Sequence, residues 1–281
     1  SVLFASYFAP DQAGRASSIA VFLAAAAQVA STAVGGRLAD LLGWLAPFYA
    51  GAVLALIGVL AMVGVADAPV VCRTASPWRL LRRVSGRPQL LAAAAIAGVT
   101  QYLNHSTTYG FVPVYAASAL GASRTALGTL TMIGLISYAT ATLSAAAIAE
   151  RLGSRRTLTL GMVAVALGTG LVPFTQSLET LLVVRVIFGF GNGLVYPVAM
   201  GLSIMGVPGE ERASAMGLFQ ALYAIGMFVG PTVSGSLADL LGLPGMFWLT
   251  SVLPVGTALT LVCLPGLIEP RSALRRQDGE G

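Results

Sequence analysis

Eight stretches of this chain run free of charged residues for long enough to cross a bilayer: 16–36, 41–66, 88–123, 125–149, 157–178, 186–209, 213–238 and 240–268. A hydrocarbon core about 30 Å thick needs roughly 20 apolar residues of helix to span it. Loops or open strands in lipid would leave their N–H and C=O groups without partners, so such stretches are helices. The pattern predicts an all-α polytopic membrane protein with eight transmembrane helices. Composition agrees, since 56% of the residues are hydrophobic and only 10% charged, against about a quarter charged in soluble domains. Residues 1–8, "SVLFASYF", read as the last turns of a further helix rather than a signal peptide, because no basic leader precedes them.

All 16 basic residues are arginine, and they alternate with the spans instead of gathering on one surface, which argues against a nucleic-acid partner. Following the loops in turn, one side of the membrane receives Arg15, Arg73, Arg79, Arg82, Arg83, Arg87, Arg151, Arg155, Arg156, Arg212, Arg271, Arg275 and Arg276, and the other only Arg37, Arg124 and Arg185. By the positive-inside rule the first side is cytoplasmic, so both chain ends and the linker 67–88 are expected there, in a cell inner (plasma) membrane. Cys72 and Cys263 then lie near the reducing side, where a disulfide is not expected.

Part of the sequence is written twice. "GGRLADLLG" at 35–43 returns as "SGSLADLLG" at 234–242, and upstream "GRASSIAVF" (14–22) faces "ERASAMGLF" (211–219). Downstream, Phe48 faces Phe247, so Asp40 corresponds to Asp239 within an internal repeat of parallel orientation. The two copies flank the polar linker "DAPVVCRTASPWRLLRRVSGRP" (67–88).

Two similar halves joined by a polar cytoplasmic linker resemble the major facilitator superfamily, whose members place two six-helix halves around a central loop. The resemblance implies a pseudo-symmetric two-half transporter bundle with an incomplete first half. On its register, 1–66 holds the end of helix 4 and helices 5 and 6, 67–88 is the linker, 89–268 holds helices 7 to 12, and 269–281 is a cytoplasmic tail. The chain is then expected to be the C-terminal two thirds of a longer transporter; a genuine eight-helix protein is the alternative.

Two motifs carry the likeness further. "AERLGSRRT" (149–157) is similar to the family signature Asp-Arg-x-Gly-Arg-Arg between helices 8 and 9, with Glu150 for Asp, Arg151 and Gly153 matching, and Ser154 inserted before Arg155. An acid there can pair with a loop arginine and latch two helices, the alternative being ordinary positive-inside arginine. "GMFVGPTVSG" (226–235) resembles the Gly-x-x-x-Gly-Pro signature, in which Gly226 and Gly230 offer a face for close packing and Pro231 breaks the backbone ladder. In drug–proton antiporters this signature occupies helix 5, where the chain has Ser31 and Thr32 in place of Gly-Pro. "GFGNG" (189–193) lies inside an apolar run and reads as close helix packing or a flexible bend, not as a phosphate loop.

Polar side chains concentrate on two spans. Gln101, His105 and Tyr109 follow one another at i, i+4 and i+8, with Asn104 and Thr108 beside them. Arg185, Gly189, Asn192 and Tyr196 share a second helical face. The family resemblance implies that these two helices, 7 and 10, line a central substrate cavity. Arg185 lies near a helix end, so snorkelling to the headgroups competes with a cavity role. His105 is the sole histidine, a side chain that titrates near neutral pH, and either relays protons or bonds within its own helix. Gln220 and Tyr223 form a weaker third group, read chiefly as packing.

The expected function is secondary active transport of a small solute by alternating access, with proton-coupled efflux as one form, an organic-anion or metabolite symporter as the alternative, and a non-transporting truncated protein or sensor as the reading from another class. No Gly-x-Ser-x-Gly, His-Glu-x-x-His or cysteine cluster occurs, so neither enzyme activity, cofactor nor metal is expected. The expected partners are lipid, the solute and protons, with a monomer once complete.

Overall fold

The computed structural model describes residues 27–28, 30–32, 34–63, 82–264, 266 and 268. Linker residues 67–81, the tail 269–281, the repeat flank 14–22 and Cys72 lie outside the described residues; Cys263 is a free, exposed thiol. Among the described residues all regular structure is helical. Helix α1 covers 34–42, with 27–28 and 30–32 also helical, and is followed by α2 (Ala46–Met62). One span is built from α3 (Pro88–Leu103), a π-helical segment (Asn104–Phe111) and α4 (Val112–Leu120). Then come α5 (Arg124–Leu152), α6 (Ser154–Gly170), a 3-10 turn (Val172–Phe174), α7 (Leu178–Ile204) and α8 (Gly209–Cys263).

Local chemistry sets the boundaries. Pro88 opens α3, a position where its missing N–H costs nothing. Ser123 accepts from Ala126 N at the start of α5, and Ser177 with Thr180 forms a capping box at the start of α7. A single residue, Gly153 at φ 84°, joins α5 to α6. The two copies of Leu-Ala-Asp-Leu-Leu-Gly end alike, in Gly43 at φ 88° and Gly242 at φ 70°, a left-handed conformation that any Cβ would penalise.

Gly242 does more than end a helix. The early residue Phe219 and the late residues Ala258 and Leu261 of α8 belong to one buried cluster with Ala93, Leu158 and Leu202. Met246 and Phe247, just after Gly242, instead join Leu237 and Ala238 in a second cluster with Tyr115, Val172 and Leu181. The chain therefore reverses at Gly242, and α8 is two antiparallel passes. With that division the passes alternate between an upper end, carrying turns 43–45, 121–123, 171–177 and 242, and a lower end carrying 86–87, 153 and 205–208.

Helix α7 stands in the middle. A Cβ on Gly189 or Gly193 would run into the carbonyls of Gly134 and Tyr138 on α5, and one on Gly191 would lie 2.6 Å from Gly161 O on α6. "GFGNG" is thus a packing device that lets α7 touch two helices backbone to backbone. Gly226 and Gly230 do the same for α8 against α3, facing the carbonyls of Gly98 and Tyr102.

The outer surface is apolar. No residue of α2 is buried, and Leu41, Leu143, Phe228 and Leu240 each expose 75% or more of their surface. Arg124–Leu152, Leu178–Ile204 and Glu211–Cys263 are each long and apolar enough to cross a membrane, and Ala46–Met62 is a shorter apolar helix. Such faces are stable in lipid and costly in water at about 25 cal/mol per Å², and the molecule is an all-α, multi-pass membrane protein.

Candidate functional site

Between α3, the π segment, α5 and α7 lies a cavity of about 280 Å³. Its lining includes Gln101, Asn104, His105, Thr108 and Tyr109 from the first span, Tyr138 from α5, and Arg185 and Asn192 from α7. Six of the seven residues singled out as the main solute or coupling candidates therefore meet there, Gln101, Asn104, His105 and Tyr109 from the first span and Arg185 and Asn192 from the facing helix, leaving Tyr196 apart. Tyr196 packs its ring edge-on against Tyr223 at 5.8 Å and against Phe219 at 6.4 Å. The turn of helix that carries Tyr196 passes below the cavity into this aromatic cluster, so the four-residue face expected on α7 divides after Asn192. Gln220 is exposed.

The π segment explains how so many polar residues reach one space. Pro113 has no N–H to offer the carbonyl four residues back, which loosens the α ladder just before it and favours the wider i→i+5 turn. Gly110 permits the wide turn, because a Cβ there would stand 3.1 Å from His105 O. His105 Nδ1 lies 3.1 Å from Gln101 O, and its ring packs at 5.5 Å from that of Tyr109.

Arg185 is the electrostatic centre. It is 2% exposed, which removes the snorkelling alternative: the side chain turns inward. Its Nη2 donates to Thr108 Oγ1 at 2.7 Å, and its guanidinium lies 4.7 Å from the centre of the Phe188 ring. Nη1 has no hydrogen-bond partner among the described residues, nor do Gln101 Oε1 and Asn192 Oδ1, all buried. Among the described residues no carboxylate pairs with Arg185; the ion pairs there are those of Glu211. A charge at the centre of a membrane helix costs about 2.5–3.5 kcal/mol on insertion scales, which makes an arginine buried with no carboxylate beside it among the described residues a candidate functional position.

Three residues that the sequence reading passed over belong to the site. Gln28, in the helical stretch before α1, donates from Nε2 to Tyr109 Oη at 3.1 Å and lines the cavity. Tyr138 stands among the serines and threonines of α5, and Thr108, named only as a neighbour, is the partner of Arg185. Each is a single uncharged residue, and nothing in composition separates it from a packing residue.

The ends of the bundle hold two contacts. At the upper end Asp40 accepts from both the backbone N–H (3.0 Å) and the hydroxyl of Thr125, while Arg124 donates to Ala39 O at 3.2 Å and lies over the Trp44 ring. Asp40 is thus an interhelical cap for the first turn of α5. At the lower end the expected pairing of Glu150 with a loop arginine is not seen among the described residues: Glu150 and Arg151 are exposed beside the one-residue joint, and Arg155 is half-buried. Arg87 bonds Glu211 at 3.2 Å and Gly206 O at 2.9 Å instead, with Arg83 at 3.7 Å from Glu211. The lower latch joins the start of α3 to that of α8. Asp239 sits near the reversal of α8, and Pro231 follows Gly230 within it.

Comparison with known proteins follows the same lines. The Tetracenomycin C resistance and export protein of Streptomyces glaucescens is 26% identical over 209 residues, 74% of this chain and 36% of that protein. The Multidrug transporter protein MdtP of Bacillus subtilis is 28% identical over 138 residues, 49% of this chain and 25% of that one. Probable anion transporter 3, chloroplastic, of Arabidopsis thaliana is 32% identical over 133 residues, 47% of this chain and 26% of that one. The chain thus spans about a third or less of the length of these relatives. A family model described as Major Facilitator Superfamily matches residues 94–280. That match covers well over half of the chain, and the chain belongs to the Major Facilitator Superfamily.

Proposed function

We propose that the protein is a secondary transporter that moves a small solute across the membrane by alternating access, the solute lying in the cavity around Arg185 while helices on either side rock about it. The observation that carries this reading is a polar cavity, with a buried guanidinium that no carboxylate among the described residues neutralises, inside a bundle whose outer faces are apolar. The division into a first half (1–66), linker (67–88), second half (89–268) and tail (269–281) belongs to the same proposal, as do cytoplasmic placement of both ends and function as a monomer. Gln28 and Tyr109 close the cavity between the halves. Asp40 with Thr125 above, and Glu211 with Arg87 below, are contacts that the two access states would make and break in turn.

His105, whose imidazole lines the cavity, supports proton coupling. The export protein among the relatives supports outward movement of the solute. The test is a screen of uptake and efflux in vesicles that contain the protein expressed from its full reading frame, with an imposed proton gradient. Gradient-dependent movement of at least one solute, lost in Arg185→Ala, is expected; folded protein that moves none of a chemically broad panel would overturn the reading.

A further inference from the structure

We infer that the solute held in this cavity is a small organic monocarboxylate, bound by its anionic end at Arg185. The inference rests on the cavity's being the solute site and goes beyond it by naming the chemistry of the solute.

Arg185 is fixed from three sides. Thr108 Oγ1 accepts from Nη2 at 2.7 Å, the Phe188 ring lies under the guanidinium, and on the third side Gly134 leaves so little room that a Cβ there would stand 3.3 Å from Nη2. A guanidinium carries five N–H donors, and Nη1 remains without a partner although the residue is 2% exposed. No carboxylate pairs with it among the described residues, so its positive charge is held still and left unmatched. Planar, two-point acceptance by a carboxylate answers that geometry better than a neutral carbonyl does, because both N–H···O bonds are then charge-assisted.

The rest of the lining sets the other features of the ligand. Arg185 is the sole arginine among the lining residues, and one fixed positive charge matches one negative charge; a dianionic phosphate ester or a dicarboxylate would bring a second charge with no fixed cation to meet it. Asn192 Oδ1 and Gln101 Oε1 are buried acceptors without donors, which suits a ligand that carries a hydroxyl or N–H away from its carboxylate. Leu135, Tyr138, Phe188 and Met227 supply apolar wall for a ring or short alkyl body. The volume of about 280 Å³ fits a metabolite-sized molecule, at the lower edge of the roughly 300–1,000 Å³ usual for small-molecule sites.

The experiment measures binding to protein expressed from its full reading frame and placed in lipid nanodiscs. The probes are 4-hydroxybenzoate and 6-hydroxyhexanoate, their neutral amides, the corresponding amines, and phenyl phosphate. Both carboxylates should bind saturably, about tenfold or more tighter than their amides, with the amines and phenyl phosphate weaker still. Arg185→Lys should weaken carboxylate binding about tenfold, and Thr108→Val, which keeps the charge and removes its anchor, should weaken it several-fold with an unchanged melting temperature. Were the charge-free variant Arg185→Ala to misfold, those two variants would still decide the matter. Amides or amines binding as well as the carboxylates, carboxylate binding unchanged in Arg185→Lys and Thr108→Val, or no probe binding to folded protein would each overturn the assignment. Movement of neutral or cationic solutes alone in the vesicle assay would overturn it while leaving transport in place; carboxylate binding without movement of any solute would do the reverse.

Discussion

The Arg185 guanidinium offers a chemistry that no other lining residue reproduces, so its replacement tests the site at the finest scale. Lysine keeps the charge but not the planar fork, and its ammonium could not hold Thr108 and a ligand oxygen in the same geometry. Arg185→Lys and Arg185→Ala are both expected to lower transport by about tenfold or more, with membrane abundance near that of the parent, as measured by vesicle flux and quantitative immunoblot. Full transport by the lysine variant would take Arg185 out of the site. His105→Ala should alter the pH dependence of transport more than the abundance, since among the described residues that imidazole bonds within its own helix. Arg185, Asn192 and the Gln101–Tyr109 group could be read from sequence because polar residues in an apolar span are conspicuous. Gln28, Tyr138 and the true lower latch could not, because each depends on which helix packs against which, and an exposed Glu150 looks the same in sequence as a paired Glu211.

At the scale of elements, helix packing here is backbone against backbone. Gly226 faces the Gly98 carbonyl so closely that even a methyl group forces α8 away from α3. Gly226→Ala is expected to cost about 1–3 kcal/mol, the usual range for overpacking, and to lower the melting temperature in detergent. Gly217→Ala, on the same helix with open space around it, should leave the melting temperature unchanged or raise it. Asp40→Ala removes the acceptor for the Thr125 N–H, and should cost about 0.5–2 kcal/mol, as loss of a helix cap does. The spans themselves were legible because charge-free runs leave few other structures open to a chain in lipid. The π segment was not, because Gln101, His105 and Tyr109 fit ordinary α periodicity, and the effect of Pro113 and Gly110 on the ladder appears only once the backbone is placed.

For the whole molecule, the arginine distribution and the alternation of turns between upper and lower ends make one joint statement about topology. With Cys72 and Cys263 replaced by alanine, a cysteine at Ser154 should react with a membrane-impermeant maleimide only from the cytoplasm, and one at Ala119 only from outside; the opposite result at either site would invert the register. The repeated Leu-Ala-Asp-Leu-Leu-Gly made the internal repeat legible, and in the structure both copies end at a glycine of positive φ, Gly43 and Gly242. The central claim is that the halves rock, opening the upper end while the lower closes. Its most direct measurement is the distance between spin labels at Leu41 and Ala119, on the two sides of the Asp40–Thr125 contact, in protein from the full reading frame reconstituted in liposomes. Two distance populations are predicted, a short one with the contact closed and a longer one with it open, exchanging weight when a proton gradient or a bound solute is supplied; a single narrow distance that stays fixed under all of these conditions would contradict alternating access.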